Sequence, residues 1–446
     1  MKVRGQSHLM PESMIPDVRI QKEDRCASTG FLVRLGPGLI TGAADDDPSG
    51  IATYSQAGAE FGYALLWTML FSFPLMAAMQ EICARLGRIT GVGIAANLKK
   101  VYSKHWVYLG VLLLCIANLF NVGADILAMG SATQLVLGGS ATLYAVVFGG
   151  LSLLLQIFVP YRKYVRYLRW LTWSLSAYVA TAFLVHIPWL TALRSTLLPS
   201  ISLSRGYLIA LVGVLGTTIS PYLFFWQTSE EAEETRVHAQ EFPLKKKPWK
   251  AAPHFRRIAL DTRVGMGLSN VVAFFIMLTT AATIHVSATG SVIQSSADAA
   301  RALEPVAGKL AFLLFALGIV GTGMLALPVL AGSAAYAVAE LFRWRASLEQ
   351  KAERAPKFYA VLAIATIAGV GLNFSGINPI RALFWSAVAN GIVAGPLMFL
   401  TMLLSTHPTV VGQFRLPAHL RIVGWIATGM MFMASLLFIA GSIRQW

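Results

Sequence analysis

Charge is scarce in this sequence. Asp, Glu, Lys and Arg make up 13% of 446 residues, and hydrophobic residues make up 56%. A soluble domain carries about 25% charge, so a soluble globular fold is excluded. Acid is the scarcer sign, with 21 Asp and Glu against 36 Lys and Arg and a formal net charge of +15. Cysteine is nearly absent. Cys26, Cys83 and Cys115 are scattered without metal-binding or redox spacing, which argues against a disulfide framework. No Gly-rich nucleotide loop, Ser/His/Asp set or haem motif occurs, so an enzyme or a bound cofactor has nothing to rest on. Lys2, Arg4, Arg19, Lys22 and Arg25 lie in a polar start that lacks the short apolar core and small-residue cleavage site of a signal peptide; none is expected.

What the chain does have is apolar runs, each long enough to span a bilayer. Spans are expected at 31–60 (broken at 45–50), 64–86, 106–136, 141–160, 168–189, 206–228, 263–286, 309–341, 358–374, 379–404 and 419–443, after a polar tail over 1–30. Lys and Arg gather in alternate loops, with Arg85, Arg88, Lys99, Lys100 and Lys104 after the second span and Arg162, Lys163, Arg166 and Arg169 after the fourth. Lys245, Lys246, Lys247, Arg256 and Arg257 follow the sixth, and Arg343, Arg345, Lys351, Arg354 and Lys357 the eighth. That alternation places the N-terminus in the cytoplasm, and eleven spans put the C-terminus outside. The positive charge is therefore a topology signal. The partner it implies is a lipid bilayer, not nucleic acid.

Asp45-Asp46-Asp47-Pro48-Ser49-Gly50 sits inside the first span. Pro48 removes a helix donor, and Ser49-Gly50 loosen the next turn. Read as an extramembrane loop, it would leave 31–44 to span alone, which is too short for a core of about 30 Å. The stretch reads instead as a membrane helix broken midway, with carboxylates and freed carbonyls lining a polar cavity, a setting for a hard divalent cation. Successive helical residues point about 100° apart, so one or two of the aspartates face that cavity. Asp47 is the ligand of choice, with the Ala44 and Asp45 carbonyls and Asp46 beside it. A second break falls at Ser220-Pro221 in the sixth span, where the Thr217 and Ile219 carbonyls and the Ser220 hydroxyl are candidates; its plain reading is a proline kink. Five spans separate the breaks, so the two halves enter the membrane in opposite directions. That arrangement points to a secondary transporter with its site at the repeat interface.

Asn118, Asn121 and Asp125 share one helix face in the third span. The asparagines suit interhelical hydrogen bonds, whereas Asp125 is a candidate for an ion or proton route. Tyr222, Gln227 and Asn390 are further pathway candidates, and Asn270 and Asn373 weaker ones. His105, His186 and His285 fall at span ends, and His238 and His254 in the polar stretch 229–262. No histidine is placed near the breaks, so a soft, thiolate-rich site has no support. Glu230, Glu231, Glu233 and Glu234 are expected to form a solvated helix end.

At these residues the sequence resembles the Nramp family of divalent-metal transporters. The resemblance rests on Gly36-Pro37-Gly38, Asp47-Pro48, Tyr63-Ala64-Leu65-Leu66-Trp67, Ala84-Arg85-Leu86-Gly87 with Thr90-Gly91, and the break at Pro221. It implies a LeuT-like fold with a transition-metal ion held between spans one and six, usually with proton coupling. The departures are specific. The family's Asp-Pro-Gly-Asn becomes Asp47-Pro48-Ser49-Gly50, its Met-Pro-His becomes Ser220-Pro221-Tyr222, and a later His falls on Gln227. In the third span the acidic position nearest the site falls on Asp125, and an Asp three residues earlier is Val122. Losing the thioether removes the ligand that favours manganese or iron, and Gly50 implies a roomier site. An all-oxygen, acidic site suits a cation that keeps several waters, as Mg2+ does. This pattern resembles the Nramp-related magnesium transporters, with passive or weakly coupled uptake.

The sequence therefore predicts an all-α membrane protein of about eleven transmembrane helices, a LeuT-like 5+5 inverted repeat with helices 1 and 6 broken. The halves would be 31–189 and 206–404, with a cytoplasmic loop at 229–262 and a last helix within 419–446. The expected activity is divalent cation transport (Mg2+ or Mn2+) across a bacterial inner membrane, without a cofactor. The alternatives are a proton-coupled Mn2+/Fe2+ importer, a sodium-coupled organic-solute transporter, and a membrane receptor or scaffold that transports nothing.

Overall fold

The structure, a computed structural model, describes residues 37–160, 163, 168, 171–237, 242–286 and 293–443. The tail 1–30, Cys26, residues 31–36 of the first span, Arg162, Arg166, Arg169 and His238 lie outside the described residues. The chain runs through α1 (Pro37–Asp45), α2 (Pro48–Phe61), α3 (Trp67–Thr90), α4 (Ile94–Val101), α5 (Lys104–Leu137), α6 (Ala141–Phe158), α7 (Ser176–Leu184) and α8 (Trp189–Leu197). It continues through α9 (Arg205–Thr218), α10 (Pro221–Val237), α11 (Ala251–Thr280), α12 (Ala311–Phe342), α13 (Pro356–Gly371), α14 (Pro379–Thr406) and α15 (Ala418–Ile443).

Both expected breaks are present, and local chemistry accounts for them. Asp47 leaves the helix (φ −69°, ψ 168°) and caps α2, with Pro48 at the first position where a missing N–H costs nothing. Ile219 (φ −115°, ψ 59°) ends α9, and Pro221 opens α10. Among the described residues eight helices are long and apolar enough to cross a membrane unaided. The number is ten if two pairs bent by 108° and 120°, Pro48–Leu65 with Trp67–Thr90 and Trp173–Leu184 with Trp189–Leu197, each count as one span. The sequence count of about eleven is higher because it joins α1 to α2 and keeps α3 separate.

The helices meet through small residues, as membrane helices do where backbones must approach. α1 and α2 lie against α11, α5 runs along α12, and α9 packs on α14. A Cβ on Gly42 of α1 would stand 2.3 Å from the Gly265 carbonyl oxygen of α11. A Cβ on Gly216 of α9 would stand 2.2 Å from the Ala387 oxygen of α14. One half of each broken span is thus held tightly against a neighbouring helix, α1 against α11 and α9 against α14.

The polar stretch 229–262 departs from expectation. It is largely helical, with α10 running on to Val237 and α11 starting at Ala251, and His254 lies on α11. The glutamates are not a solvated end, for Glu230, Glu231 and Glu233 are buried. Arg257 Nη2 donates to both Glu231 oxygens at 2.9 and 2.8 Å. Arg88 Nη1 lies 3.5 Å from Glu234 and 3.9 Å from Glu231. Glu233 accepts from the Tyr336 and Ser347 hydroxyls. Cations and hydroxyls from α3, α11, α12 and the segment after it neutralise a run that looks solvent-bound when read alone. His105 and His186, expected at span ends, are exposed, and His285 places Nδ1 2.9 Å from the Ala59 carbonyl oxygen.

Candidate metal centre at the two broken helices

The site is built around the Asp47 carboxylate, which is 2% exposed. Its Oδ1 accepts from Ser49 Oγ (2.6 Å) and the Gly50 amide (2.7 Å). These bonds are the helix cap, so the side chain is oriented by the same turn that breaks the span. Oδ2 points across to other helices. Asn121 Nδ2 of α5 donates to it at 3.1 Å. The Tyr222 hydroxyl of α10 lies 3.3 Å from Asp47 Oδ2 and 3.1 Å from the Ala44 carbonyl oxygen, and donates between them. Asn121 is held in turn by Ser386 Oγ of α14, which donates to its Oδ1 at 2.8 Å.

The two breaks face each other. A Cβ on Gly50 would lie 3.0 Å from Thr217 Oγ1 and 3.5 Å from the Asp45 carbonyl oxygen. Thr217 Oγ1 is buried without a hydrogen-bond partner. The extra room that Gly50 implied is therefore taken up by Thr217. Ser220 also differs from expectation. Its hydroxyl donates back to the Thr217 (2.7 Å) and Gly216 (3.2 Å) carbonyl oxygens, closing the end of α9 instead of reaching across. Ile219 is fully buried at the bend.

The three aspartates do not converge. Ser269 Oγ of α11 lies 2.7 Å from Asp45 Oδ2 and 3.0 Å from Asp46 Oδ1, so these two side chains turn toward α11 while Asp47 turns toward α5 and α10. Asp45 Oδ1 has no partner. Among the described residues no group of three or more His, Cys, Asp or Glu side chains could hold a metal ion. A bound cation would have to use Asp47 with carbonyls, hydroxyls, amide oxygens and water.

The other candidates divide. Asp125 is brought to the site: it is fully buried, within electrostatic reach of Asp47, and makes no full hydrogen bond. Gln227 lies one step away, its Oε1 accepting from Thr41 of α1. Asn118 does not join; its Nδ2 donates to the Leu330 oxygen (3.0 Å) and Ser333 Oγ (2.7 Å), an interhelical tie. Asn270 Nδ2 donates to the Met69 oxygen, and Asn373 to the Val370 oxygen in its own turn. Asn390 is buried with its amide unpartnered, beside the contact between Gly391 and α9. Sequence reasoning missed Ser269 and Ser386, since a lone serine in an apolar span has no spacing to mark it. It also missed Asp261, which accepts from the Gly38 amide (2.8 Å) at the start of α1. An acid beside Thr262 just before an apolar run was the available signal.

Two membrane helices broken opposite one another, with a buried carboxylate at the meeting point, define a transporter of the broken-helix class. Residues 38–441 match the family described as natural resistance-associated macrophage protein-like, and the chain belongs to that family. It is 26% identical over 395 residues to a divalent metal cation transporter MntH of Pectobacterium carotovorum, covering 85% of this chain and 86% of that one. It is 24% identical over 431 residues to the MntH of Klebsiella pneumoniae, covering 94% and 96%. A manganese transporter structure from Eremococcus coleocola superposes with a TM-score of 0.70 at 18% identity, covering 93% of this chain and 88% of that one. Mhp1, a nucleobase-cation-symport-1 family transporter, superposes with a TM-score of 0.57 at 14% identity, covering 92% and 90%. At such identities these likenesses concern the fold alone, which is LeuT-like.

Proposed function

We propose that this chain is a secondary transporter that carries a divalent cation through the meeting point of its two broken helices, with Asp47 as the principal ligand. The observation that carries the reading is the position of Asp47 Oδ2, buried at one break and turned toward Tyr222, the residue after Pro221 at the other. The Ala44 carbonyl oxygen, which shares the Tyr222 hydroxyl with Asp47, is the first further oxygen of this reading, and the Asp45, Thr217 and Ile219 carbonyls are its other candidates. Asp125 adds negative field. The chain's membership of a family with MntH relatives supports the cation class. The halves 31–189 and 206–404 would form the inverted repeat, and the gathering of basic residues in alternate loops favours an N-terminus in the cytoplasm of a bacterial inner membrane.

For the cargo we favour Mg2+. The groups bonded to Asp47 are a hydroxyl, a backbone amide, a side-chain amide and a phenol, with no sulfur or imidazole among them. Hard oxygen donors and retained water suit Mg2+, whereas the relatives' manganese is better served by softer ligands. Uptake of Mg2+ and Mn2+ into proteoliposomes, each competed by the other and by Ca2+, tests this. Mg2+ flux without acidification, and a gain of Mn2+ selectivity in Ser220→Met, are expected. Strong Mn2+ uptake with acidification that Mg2+ does not compete would replace this cargo with proton-coupled Mn2+.

A further inference from the structure

Away from the breaks, at the end where α4, α5 and α12 meet, lies a cavity of about 280 Å³ walled by Lys99, Lys104, Tyr108, Phe342 and Arg343 over a floor that includes Val107 and Leu341. Three cations line it and no carboxylate does. The nearby acid, Glu340, is engaged elsewhere, accepting from the Gly93 (2.8 Å) and Ala96 (3.2 Å) amides. Lys99 donates to the Leu341 carbonyl oxygen, which fixes one wall. Lys104 and Arg343 are exposed and have no ion pair among the described residues. Arg343 is held at φ 58°, the one non-glycine residue with positive φ among the described residues. Its backbone terminates α12 there, with its amide bonded to the Ala339 and Glu340 oxygens. A left-handed arginine is an uncommon conformation, and here it closes the end of α12 at the cavity rim.

The rim is aromatic. Tyr108 and Phe342 meet edge-on at 6.4 Å, Phe342 stacks on Trp344 at 5.0 Å, and Lys357 Nζ lies 5.1 Å from the Trp344 ring. On α5, which supplies Lys104, Val107 and Tyr108 to the cavity, Trp106, Leu109, Leu112 and Ile116 are exposed as well. Aromatic rings, exposed apolar residues and cations without ion pairs brought together at one end of the helices are the features of a lipid contact at a membrane interface. The loops that supply the cations are those that the charge alternation assigns to the cytoplasmic face, where anionic lipid is exposed.

We propose that this cavity binds the phosphate headgroup of an anionic phospholipid, with Lys104 and Arg343 pairing with the phosphate and the acyl chains lying along the exposed apolar residues of α5. Charge complementarity argues for an anion, and the exposed apolar residues on the same helix α5 argue that a lipid carries it. The test is native mass spectrometry of the full-length protein with phosphatidylglycerol or phosphatidylcholine, alongside thermal unfolding with each lipid and with inorganic phosphate. Wild type is expected to retain phosphatidylglycerol in preference to phosphatidylcholine. Lys104→Gln with Arg343→Gln should lower phosphatidylglycerol affinity by about 25-fold, at roughly fivefold per cation. Arg256→Gln, an exposed cation away from the cavity, should leave it unchanged. Equal retention of the two lipids by wild type, or full retention of phosphatidylglycerol by the double variant, overturns the proposal. So does stabilisation by inorganic phosphate equal to that by the lipid, which would make this an anion site without a lipid.

Discussion

Replacing Asp47 by Asn separates the two tasks this side chain has, capping α2 and presenting a charge. In the cap, Oδ1 accepts from Ser49 and Gly50 at 2.6 and 2.7 Å, and an Asn side-chain oxygen can accept both. Asn and Asp are about equal as helix N-caps. The new amide group would face Asn121 Nδ2, now 3.1 Å from Oδ2, and set donor against donor; the Tyr222 hydroxyl can turn to accept. One poorly paired buried group costs about 1–2 kcal/mol, so Asp47→Asn should fold with a small loss of thermal stability. Asp47→Ala loses the cap, about 1 kcal/mol, and also orphans Asn121, for roughly 2–4 kcal/mol in all. Cation binding should respond differently. A pair of unit charges 4 Å apart is worth about 4 kcal/mol at an effective dielectric constant near 20. A divalent ion in direct contact exceeds that, so Asn should weaken binding at least ~10³-fold. Calorimetric titration of Mg2+ or Mn2+, flux in proteoliposomes and scanning fluorimetry on the same preparations make the comparison. An Asp47→Asn protein that carries cation within tenfold of wild type would refute the reasoning and leave Asp47 as a helix cap only.

Gly50→Ala should slow flux several-fold, because its Cβ would lie 3.0 Å from Thr217 Oγ1 and push the breaks apart; adding Thr217→Ala should restore flux, and a double variant as slow as the single one would show that the contact is irrelevant. Gly42→Ala should lower the melting temperature, since its Cβ would stand 2.3 Å from the Gly265 oxygen and force α1 off α11, an overpacking penalty of about 1–3 kcal/mol. Arg257→Ala should cost about 3–5 kcal/mol, measured by chemical or thermal unfolding, because it leaves Glu231 buried with less of its countercharge. Glu231→Gln in the same background should recover part of that loss.

The breaks were legible because the chemistry that makes them is local. An aspartate before a proline, followed by Ser49 and Gly50, caps one helix and ends another wherever the rest of the chain goes. The choice of Asp47 over its neighbours followed from that turn, and Tyr222 was a pathway candidate from its place beside the second proline; Asn121 was read only as an interhelical hydrogen-bonding residue, and its bond to Asp47 depends on how α5 packs. The fate of Glu230 to Glu234 was not legible. Whether a charge run is solvated depends on what packs against it, and here the partners Arg88, Arg257, Tyr336 and Ser347 come from distant segments. Ser220 misled for a related reason. A hydroxyl next to a proline can cap its own helix or reach across, and the free carbonyls of Gly216 and Thr217 are nearer.

The division of the three aspartates bears on how such a site could open. The ties of α1 beyond the break run to α11 and α10: Gly38 to Asp261, Asp45 and Asp46 to Ser269, and Thr41 to Gln227. The ties of Asp47 run to α5 and α10 through Asn121 and Tyr222, and Asn121 is braced by Ser386 on α14. If α1 swings away from α11, Asp45 travels with it, whereas Asp47 stays as the cap of α2. Asp46 lies between and is the point where the backbone must bend. On the transport reading, the ligand is thus anchored to the part that stays, Asp45 belongs to the part that moves, and Asp46 is the joint between them. Opening would expose Asp45 and Asp46 to water without dismantling the Asp47 cap. A cation could then leave from a site whose central carboxylate keeps its orientation, which is what repeated cycles of binding and release require.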